Sequence, residues 1–451
     1  MVLYHVLFAI FYGGNPFQLI EPDVWYSFGT GLNLVGMEHT GIQFFVEKEM
    51  TLPLFMGILY KSMGFPSFFY FLWIWNALTM GILIFSTFII AKYYFDRNTA
   101  FIAALLIGLN WHVAAWGQEL VDDVSMVSFM FLSIALYTLF LRGGDRRYLC
   151  ASGVAAALAI WTKTSALYLF PPFILMLAVV NKTKIREALV FFVGFVLATL
   201  PFSLVCSLRY GHPLAPFVAR VVQFQQAALP QEHVNTLFNT FYLEALPISV
   251  GLIVFPFLLA GLFYLIRKRK FLFPAWGLYC LGIYVFVIPF GPYDQYMVHF
   301  TPIFLIISAV GLIRVAEVIG RKGFPLIILA LLSTNLSPPL GIRGVVEGLG
   351  YEGIPKILLS LRPLFLYPRQ RWEGNKYVHI SDLQDAVQNV ALGFPSQSIY
   401  WPDWLPEFFV THSEPDHSYT IIMIVILTLV CIYLIMNRGK IAHVCTKLFQ
   451  C

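Results

Sequence analysis

Glu21, Asp23, Glu38, Glu47, Lys48 and Glu49 crowd one short stretch between an N-terminal apolar segment (Met1 to Phe11) and a long remainder that is mostly lipid-soluble. A carboxylate at such a boundary needs water, a proton, a cation or a bound polar molecule. Asp23 and Glu21 are the candidates for catalysis, because a carboxylate there can take a proton from a hydroxyl or orient it. Glu47, Lys48 and Glu49 are candidates for substrate binding, and hard oxygen ligands are plentiful enough for a divalent cation. Asp122 and Asp123 open a later apolar run, where they can meet the first stretch across a cavity; they also suit the positive end of a helix dipole. Lys163 interrupts an apolar hairpin, where an ammonium group is costly without an anion nearby, unless it snorkels to the interface. Arg209, Arg220 and His299 are further cationic or hydrogen-bonding candidates at the same level. Tyr296 offers a hydroxyl, or anchors an aromatic belt. His39, His212, His233, His412 and His417 show no ligand spacing.

The elements that must position these groups are membrane spans. Hydrophobic residues make up 59% of the chain and charged residues 12%, with 17% aromatics and a mean hydropathy of +0.75. A water-soluble globule carries about a quarter charged residues, so the chain is a polytopic membrane protein, all-α in fold class. Spans are expected at Met1–Phe11, Pro66–Tyr94, Thr99–Trp116, Val124–Leu141, Tyr148–Trp161, Ser165–Val180, Ala188–Leu208, Leu246–Ile266, Phe271–Phe290, Phe300–Ile319, Phe324–Leu340 and Tyr419–Met436. The first of these is short for a span, and no signal-peptide pattern surrounds it. A single helix over Tyr148 to Val180 would be about 50 Å long, so the spacing predicts two short helices bent at Thr162 to Thr164.

With a cytoplasmic N-terminus, most of the basic residues collect on the inner side, including the run Arg267 to Lys270, as the positive-inside rule requires. Only Asp96, Asp145, Glu187 and Glu317 join them there. The resulting division is a transmembrane core at 1–340 with its first outer loop at 14–64, a small outer domain at 341–418, a last transmembrane helix at 419–436 and a cytoplasmic tail at 437–451. Within the outer domain, Ser381 is expected to cap a short helix through Ala391. The second outer piece, Arg209 to Ala245, carries the two arginines. None of the six cysteines falls in an outer piece, so no disulfide framework is expected there, and no paired spacing suggests zinc. The basic run between two spans reads as a topology signal that meets anionic lipid rather than nucleic acid. No glycine-rich phosphate loop or nucleotide fingerprint is present.

From about Asp23 to Val180 the chain resembles the GT-C membrane glycosyltransferases, in particular the protein mannosyltransferase and aminoarabinose transferase group. The resemblance rests on the acidic first loop leading through small residues to a glycine (Asp23 to Gly36) and on Pro53-Leu54 opening an interfacial helix. It rests also on the inner turn Tyr94 to Ala104, on Asp122 or Asp123 at the outer start of a helix, on Thr162-Lys163-Thr164, and on Tyr296 to Gly311 near the end of the core. Gln295 stands where many relatives have Arg, and Pro22 where they have a second acid.

The resemblance implies a GT-C-like bundle of about twelve helices that moves a sugar from a polyprenyl (dolichyl or undecaprenyl) phosphate to a lipid, glycan or protein acceptor on the non-cytosolic face. Asp23 would serve as the inverting base, or would orient the acceptor. Lys163, Arg209, Arg220, Lys48 and His299 would meet the departing phosphate. A monophosphate leaving group demands no cofactor, although the carboxylates can hold a divalent cation. The membrane would be the plasma membrane in a prokaryote and the endoplasmic reticulum in a eukaryote. Two other classes remain open from the residues alone: a non-catalytic scaffold or partner subunit of the same fold, and a transporter.

Overall fold

Long apolar runs in hydrocarbon can satisfy their backbone N–H and C=O groups only within themselves, so they fold as helices. The structure, a computed structural model, describes residues 22–37, 49–64, 67–118, 122–220, 241–286, 294–320, 323–334, 336–337 and 362–363. The expected spans Met1–Phe11 and Tyr419–Met436, the Ser381 cap and nearly all of 341–418 lie outside them.

In chain order the helices are α1 (Pro22–Leu34), α2 (Thr51–Met63), α3 (Ser67–Tyr94), α4 (Arg97–Leu109), α5 (Trp111–Gln118), α6 (Asp122–Gly143), α7 (Arg146–Thr162), α8 (Ala166–Val180) and α9 (Ile185–Tyr210). After a short helical stretch at 215–220 come α10 (Phe241–Val250), α11 (Phe255–Arg267), α12 (Leu272–Phe286), a 3-10 turn (Asp294–His299), α13 (Thr301–Ile319) and α14 (Gly323–Ser333). Two short strands, Leu336–Ser337 and Arg362–Pro363, pair antiparallel, a small exception to the all-helical expectation. Among the described residues, four helical stretches are long and apolar enough to cross a membrane: Ile74–Tyr94, Asp122–Gly143, Ile185–Tyr210 and Thr301–Ile319.

The stretch expected as the first outer loop contains the two helices α1 and α2, the second of them begun by Thr51 to Leu54 as the Pro53-Leu54 reading expects. α1 and α2 press together at Gly31 and Gly57, where a methyl group on either glycine would lie 2.1 Å from a backbone oxygen of the other helix. Two further helix pairs use the same device of small residues that let backbones touch. A methyl on Gly153 of α7 would lie 2.0 Å from Phe191 O of α9, and one on Gly194 would meet Cys150 O at 2.0 Å. Gly261 of α11 and Gly311 of α13 stand in the same relation through Ile307 O and Phe257 O, each at 2.0 Å.

Two expected spans are broken. Thr99–Trp116 ends at Asn110, whose side-chain oxygen accepts from Val113 N–H at 3.0 Å and so restarts the chain as α5. Its amide donates to Ser249 O at 2.9 Å and Thr334 Oγ1 at 3.1 Å, and Trp111 N–H donates to Thr334 O at 2.8 Å. A buried asparagine with several partners outside its own helix ends that helix more cheaply than it would sit inside it. Leu246–Ile266 is interrupted at Gly251, which adopts a φ of +105° that suits glycine, with Pro256 opening the next helix. The expected bend at Thr162 to Thr164 is the turn between α7 and α8.

The helix ends sort into two levels. The starts of α6, α8 and α13 and the ends of α7 and α9 share one, with the candidate residues. The ends of α3, α8, α11 and α13 share the other, where Asp96 caps α4 by accepting from Thr99 N–H at 2.8 Å and pairs with Arg314 at 3.0 Å. Between the two levels Phe173 stacks on Trp276 at 3.7 Å, with Phe131 beside them.

Candidate active site

Three separate parts of the chain supply one polar cluster: the first turn of α6, the turn from α7 to α8, and the 3-10 turn ahead of α13. The α7–α8 turn forms because Thr162 is the last helical residue and Lys163 takes an extended backbone (φ −155°, ψ 131°), which throws its side chain away from both helix axes. Lys163 Nζ donates to Asp123 Oδ1 at 2.7 Å. His299 Nε2 bonds to the same oxygen, and Tyr284 OH of α12 bonds to His299 Nδ1. An ionised carboxylate only accepts, so Nε2 carries the proton, and the tyrosine hydroxyl donates to the bare Nδ1 of the neutral imidazole. The Lys163 ammonium also lies 5.1 Å from the centroid of the Tyr296 ring, which presents its negative face to the charge. The rings of Tyr284 and His299 stand 5.7 and 5.5 Å from that of Tyr296, completing an aromatic wall.

Asp123 is 1% exposed and His299 fully buried. Lys163, Tyr296 and His299 lie in turns outside the α-helices. Burial works against the charged form of Lys163, and Asp123 beside it outweighs that cost, so its pKa stands above the ordinary lysine range. For His299, burial outweighs the pull of Asp123 and holds the imidazole below its usual pKa. The cluster is therefore one anion, one cation and one neutral relay.

The residue next to Lys163 opens a second arrangement. Glu49 Oε1 accepts from Thr164 N–H at 2.7 Å and also from the Thr164 hydroxyl, while Arg220 Nη2 lies 3.6 Å from the same oxygen. Thr164 lies in the turn one residue ahead of Ser165, the N-cap of α8, so Glu49 ties down that turn and brings a negative charge close to a helix N-terminus. Glu49 and Asp123 thus sit on neighbouring residues of one turn.

Of the residues singled out in the sequence, Asp123, Lys163, Tyr296 and His299 converge, and Glu49 and Arg220 form the adjoining pair. Asp122 is buried one residue away, on the same first turn of α6. Arg209 lies elsewhere: its Nε donates to Leu34 O at 3.1 Å and holds the C-terminal end of α1, which Lys61 also does through Val35 O at 2.9 Å. Asp23 lies in the first turn of α1. Glu21, Glu47 and Lys48 lie outside the described residues. Two residues were not singled out. Thr164 enters the sequence reading as part of a bend and of the Thr162-Lys163-Thr164 motif but with no role of its own, and Tyr284 sits in an apolar helix, where its hydroxyl, which must find a partner, is the available signal. Among the described residues no three His, Cys, Asp or Glu side chains gather to hold a metal ion. The Asp123 oxygen that faces the cluster is already engaged by Lys163 and His299.

Residues 52–207 match the family described as dolichyl-phosphate-mannose-protein mannosyltransferase. No curated protein sequence matches significantly. Among solved structures, ArnT from Cupriavidus metallidurans bound to undecaprenyl phosphate aligns with a TM-score of 0.55 at 16% identity, over 73% of this chain and 62% of its own. The apo state of the same protein gives 0.52 at 16% identity, over 71% and 61%. The Archaeoglobus fulgidus oligosaccharyltransferase tethered with an acceptor peptide gives 0.51 at 12% identity, over 87% and 59%. At these identities the likeness is one of fold. The chain spans about three fifths of the length of each of these structures.

Proposed function

We propose that this chain is a GT-C glycosyltransferase, a reading that the match of residues 52–207 supports, and that it transfers a sugar from a polyprenyl phosphate to an acceptor hydroxyl on the non-cytosolic face of its membrane. The observation that carries this reading is the Lys163 ammonium, held at the end of the bundle by Asp123 and faced by Tyr296. A polyprenyl carrier keeps its phosphate at headgroup level, where the turn residues of a bundle reach it. The ArnT structure contains a lipid of that class.

In the reaction the acceptor oxygen attacks the anomeric carbon from the face opposite the phosphate. The bond between that carbon and the phosphate oxygen breaks, and the configuration inverts. Asp23, in the first turn of α1, takes the acceptor proton or orients the hydroxyl, with Glu21 beside it in sequence. Negative charge grows on the departing phosphate, and Lys163 stabilises it. Asp123 fixes the ammonium in place and His299 fixes Asp123, so little reorganisation is needed as charge develops. The Tyr296 hydroxyl adds a donor to the departing phosphate. Arg220 and Glu49 hold the turn that carries Lys163, and the acceptor is a lipid, glycan or protein.

The test uses membranes containing the full chain and a labelled polyprenyl phosphate sugar. Asp23→Asn is expected to lower transfer about a hundredfold or more, the usual weight of a general base, and Lys163→Gln to lower it comparably. Absence of transfer from the intact chain with mannosyl, aminoarabinosyl and other polyprenyl donors would overturn the reading in favour of a scaffold. Solute uptake in its place would indicate a transporter.

A further inference from the structure

The opposite end of the bundle carries a feature that sugar transfer does not use. The chain passes from α11 to α12 through Lys268, Arg269 and Lys270, and this turn borders a cleft of about 150 Å³. Tyr94, Phe95, Val180 and Phe273 form its walls, from the ends of α3 and α8 and the start of α12, while Arg269 and Lys270 stand at its rim. Lys270 Nζ donates to Tyr94 O at 3.1 Å and lies 5.4 Å from the Phe95 ring centroid.

Arg269 adopts a left-handed backbone with φ +59°. Its N–H bonds to Ile266 O at 3.0 Å and that of Lys270 to Leu265 O at 2.8 Å, a helix ending in which glycine normally takes the left-handed place. Gly144 and Gly320 do so at the same end of the bundle. The other non-glycine in this conformation among the described residues is Lys182, φ +50°, two residues beyond Val180 in the cleft wall. Both residues with this backbone are therefore cationic; Arg269 lines the cleft, and Lys182 follows Val180, which also lines it. Strain kept in place points to what the side chain does.

The nearby acids are already engaged. Asp96 accepts from Thr99 and from Arg314, and Glu317 accepts from Arg314 at 2.7 Å. Among the described residues Arg269, Lys270 and Lys182 form no ion pair with a carboxylate.

We infer that this cleft binds an anionic phospholipid, with its phosphate on Arg269 and Lys270 and an acyl chain along Tyr94, Phe95, Val180 and Phe273. A cationic rim above aromatic walls at a helix-end level matches the two halves of such a lipid. A free phosphate would leave the apolar walls unused. The inference does not depend on the transfer reaction.

The test titrates the delipidated full-length protein in detergent with phosphatidylglycerol and, separately, phosphatidylcholine, counting bound lipid by native mass spectrometry. One tightly held phosphatidylglycerol is expected. Arg269→Gly and Lys270→Gln should each weaken it about fivefold. Arg146→Gln, which removes an exposed cation elsewhere at this end, should leave it unchanged. Glycine suits the Arg269 backbone, so the melting temperature of Arg269→Gly should equal or exceed that of the parent, which separates lost binding from lost folding. Equal binding of phosphatidylcholine, unchanged affinity in both cleft variants, an equal loss in Arg146→Gln, or displacement of the lipid by millimolar inorganic phosphate would each overturn the inference.

Discussion

Thr164 donates its backbone N–H to Glu49 at 2.7 Å, and the residue before it, Lys163, holds Asp123 at the same distance. A single turn thus ties the start of α2 to the start of α6. Glu49 is 2% exposed, so Glu49→Ala strands a buried amide and hydroxyl and removes the counter-charge of Arg220. The expected cost is about 1–3 kcal/mol, read as a fall in melting temperature in detergent. Glu49→Gln, which keeps an oxygen for Thr164, should lose less. Equal losses in the two variants would show that the cap contributes nothing.

Asp123 and Lys163 should behave as a unit. Removing one partner leaves the other charge buried without its counter-charge, at about 3–5 kcal/mol, whereas removing both costs less than the sum of the single changes. A thermal double-mutant cycle with Asp123→Asn and Lys163→Met measures the coupling. Additive effects would mean that the pair is loose in the folded protein.

His299 gives stability a pH dependence of known sign. Its pKa is depressed in the folded state relative to about 6.5 in an unfolded chain. Its contribution is therefore complete above pH 6.5 and declines as the pH drops towards the folded value, because the unfolded chain binds the extra proton. Urea or thermal titrations should show this decline in the parent protein and lose that component in His299→Gln. A component that survives the substitution would belong to another group.

Tyr284→Phe deletes the hydroxyl that bonds to His299 Nδ1 and leaves the ring contacts near Tyr296. Transfer activity should fall about tenfold with little change in the apparent affinity for the donor, because the phenol positions the relay and not the substrate. A pure rise in KM would instead assign Tyr284 to donor binding.

Gly153→Ala places a methyl where Phe191 O now sits, so α7 and α9 must separate. About 1–3 kcal/mol of stability should be lost. Gly64→Ala supplies the comparison: no atom lies within 4 Å of the added methyl, and the only strain is that of its φ of +64°.

Much of this architecture was legible in the residues. The charges between apolar runs located the helix ends, and the length limit on a span placed the α7–α8 turn. The same limit could not reveal the break at Asn110, because the groups that hold it there, Ser249 and Thr334, are 139 and 224 residues distant in the chain. For the candidate site, a lysine in an apolar hairpin signalled that an anion was needed, but not which one. Only the fold distinguishes Asp123 from Asp122, since the partner that joins Lys163 there, His299, is 176 residues from it. The charge of Glu49 makes it a candidate ligand in the sequence, while its bond to Thr164 N–H is visible only in the fold. A backbone amide at a helix start leaves no mark in a sequence.

The glycine contacts divide the bundle mechanically. α7 with α9, and α11 with α13, are welded backbone to backbone and must each travel as a rigid plank. α8 contains no glycine and carries Pro171 and Pro172, and it meets its neighbours through side chains such as Phe173 on Trp276 and through Tyr168 O, which accepts from Tyr279 OH at 2.7 Å. It also begins at the turn that bears Lys163 and ends at the wall of the basic cleft. Along α8, the candidate site and the basic cleft thus stand at the two ends of a single 15-residue strut.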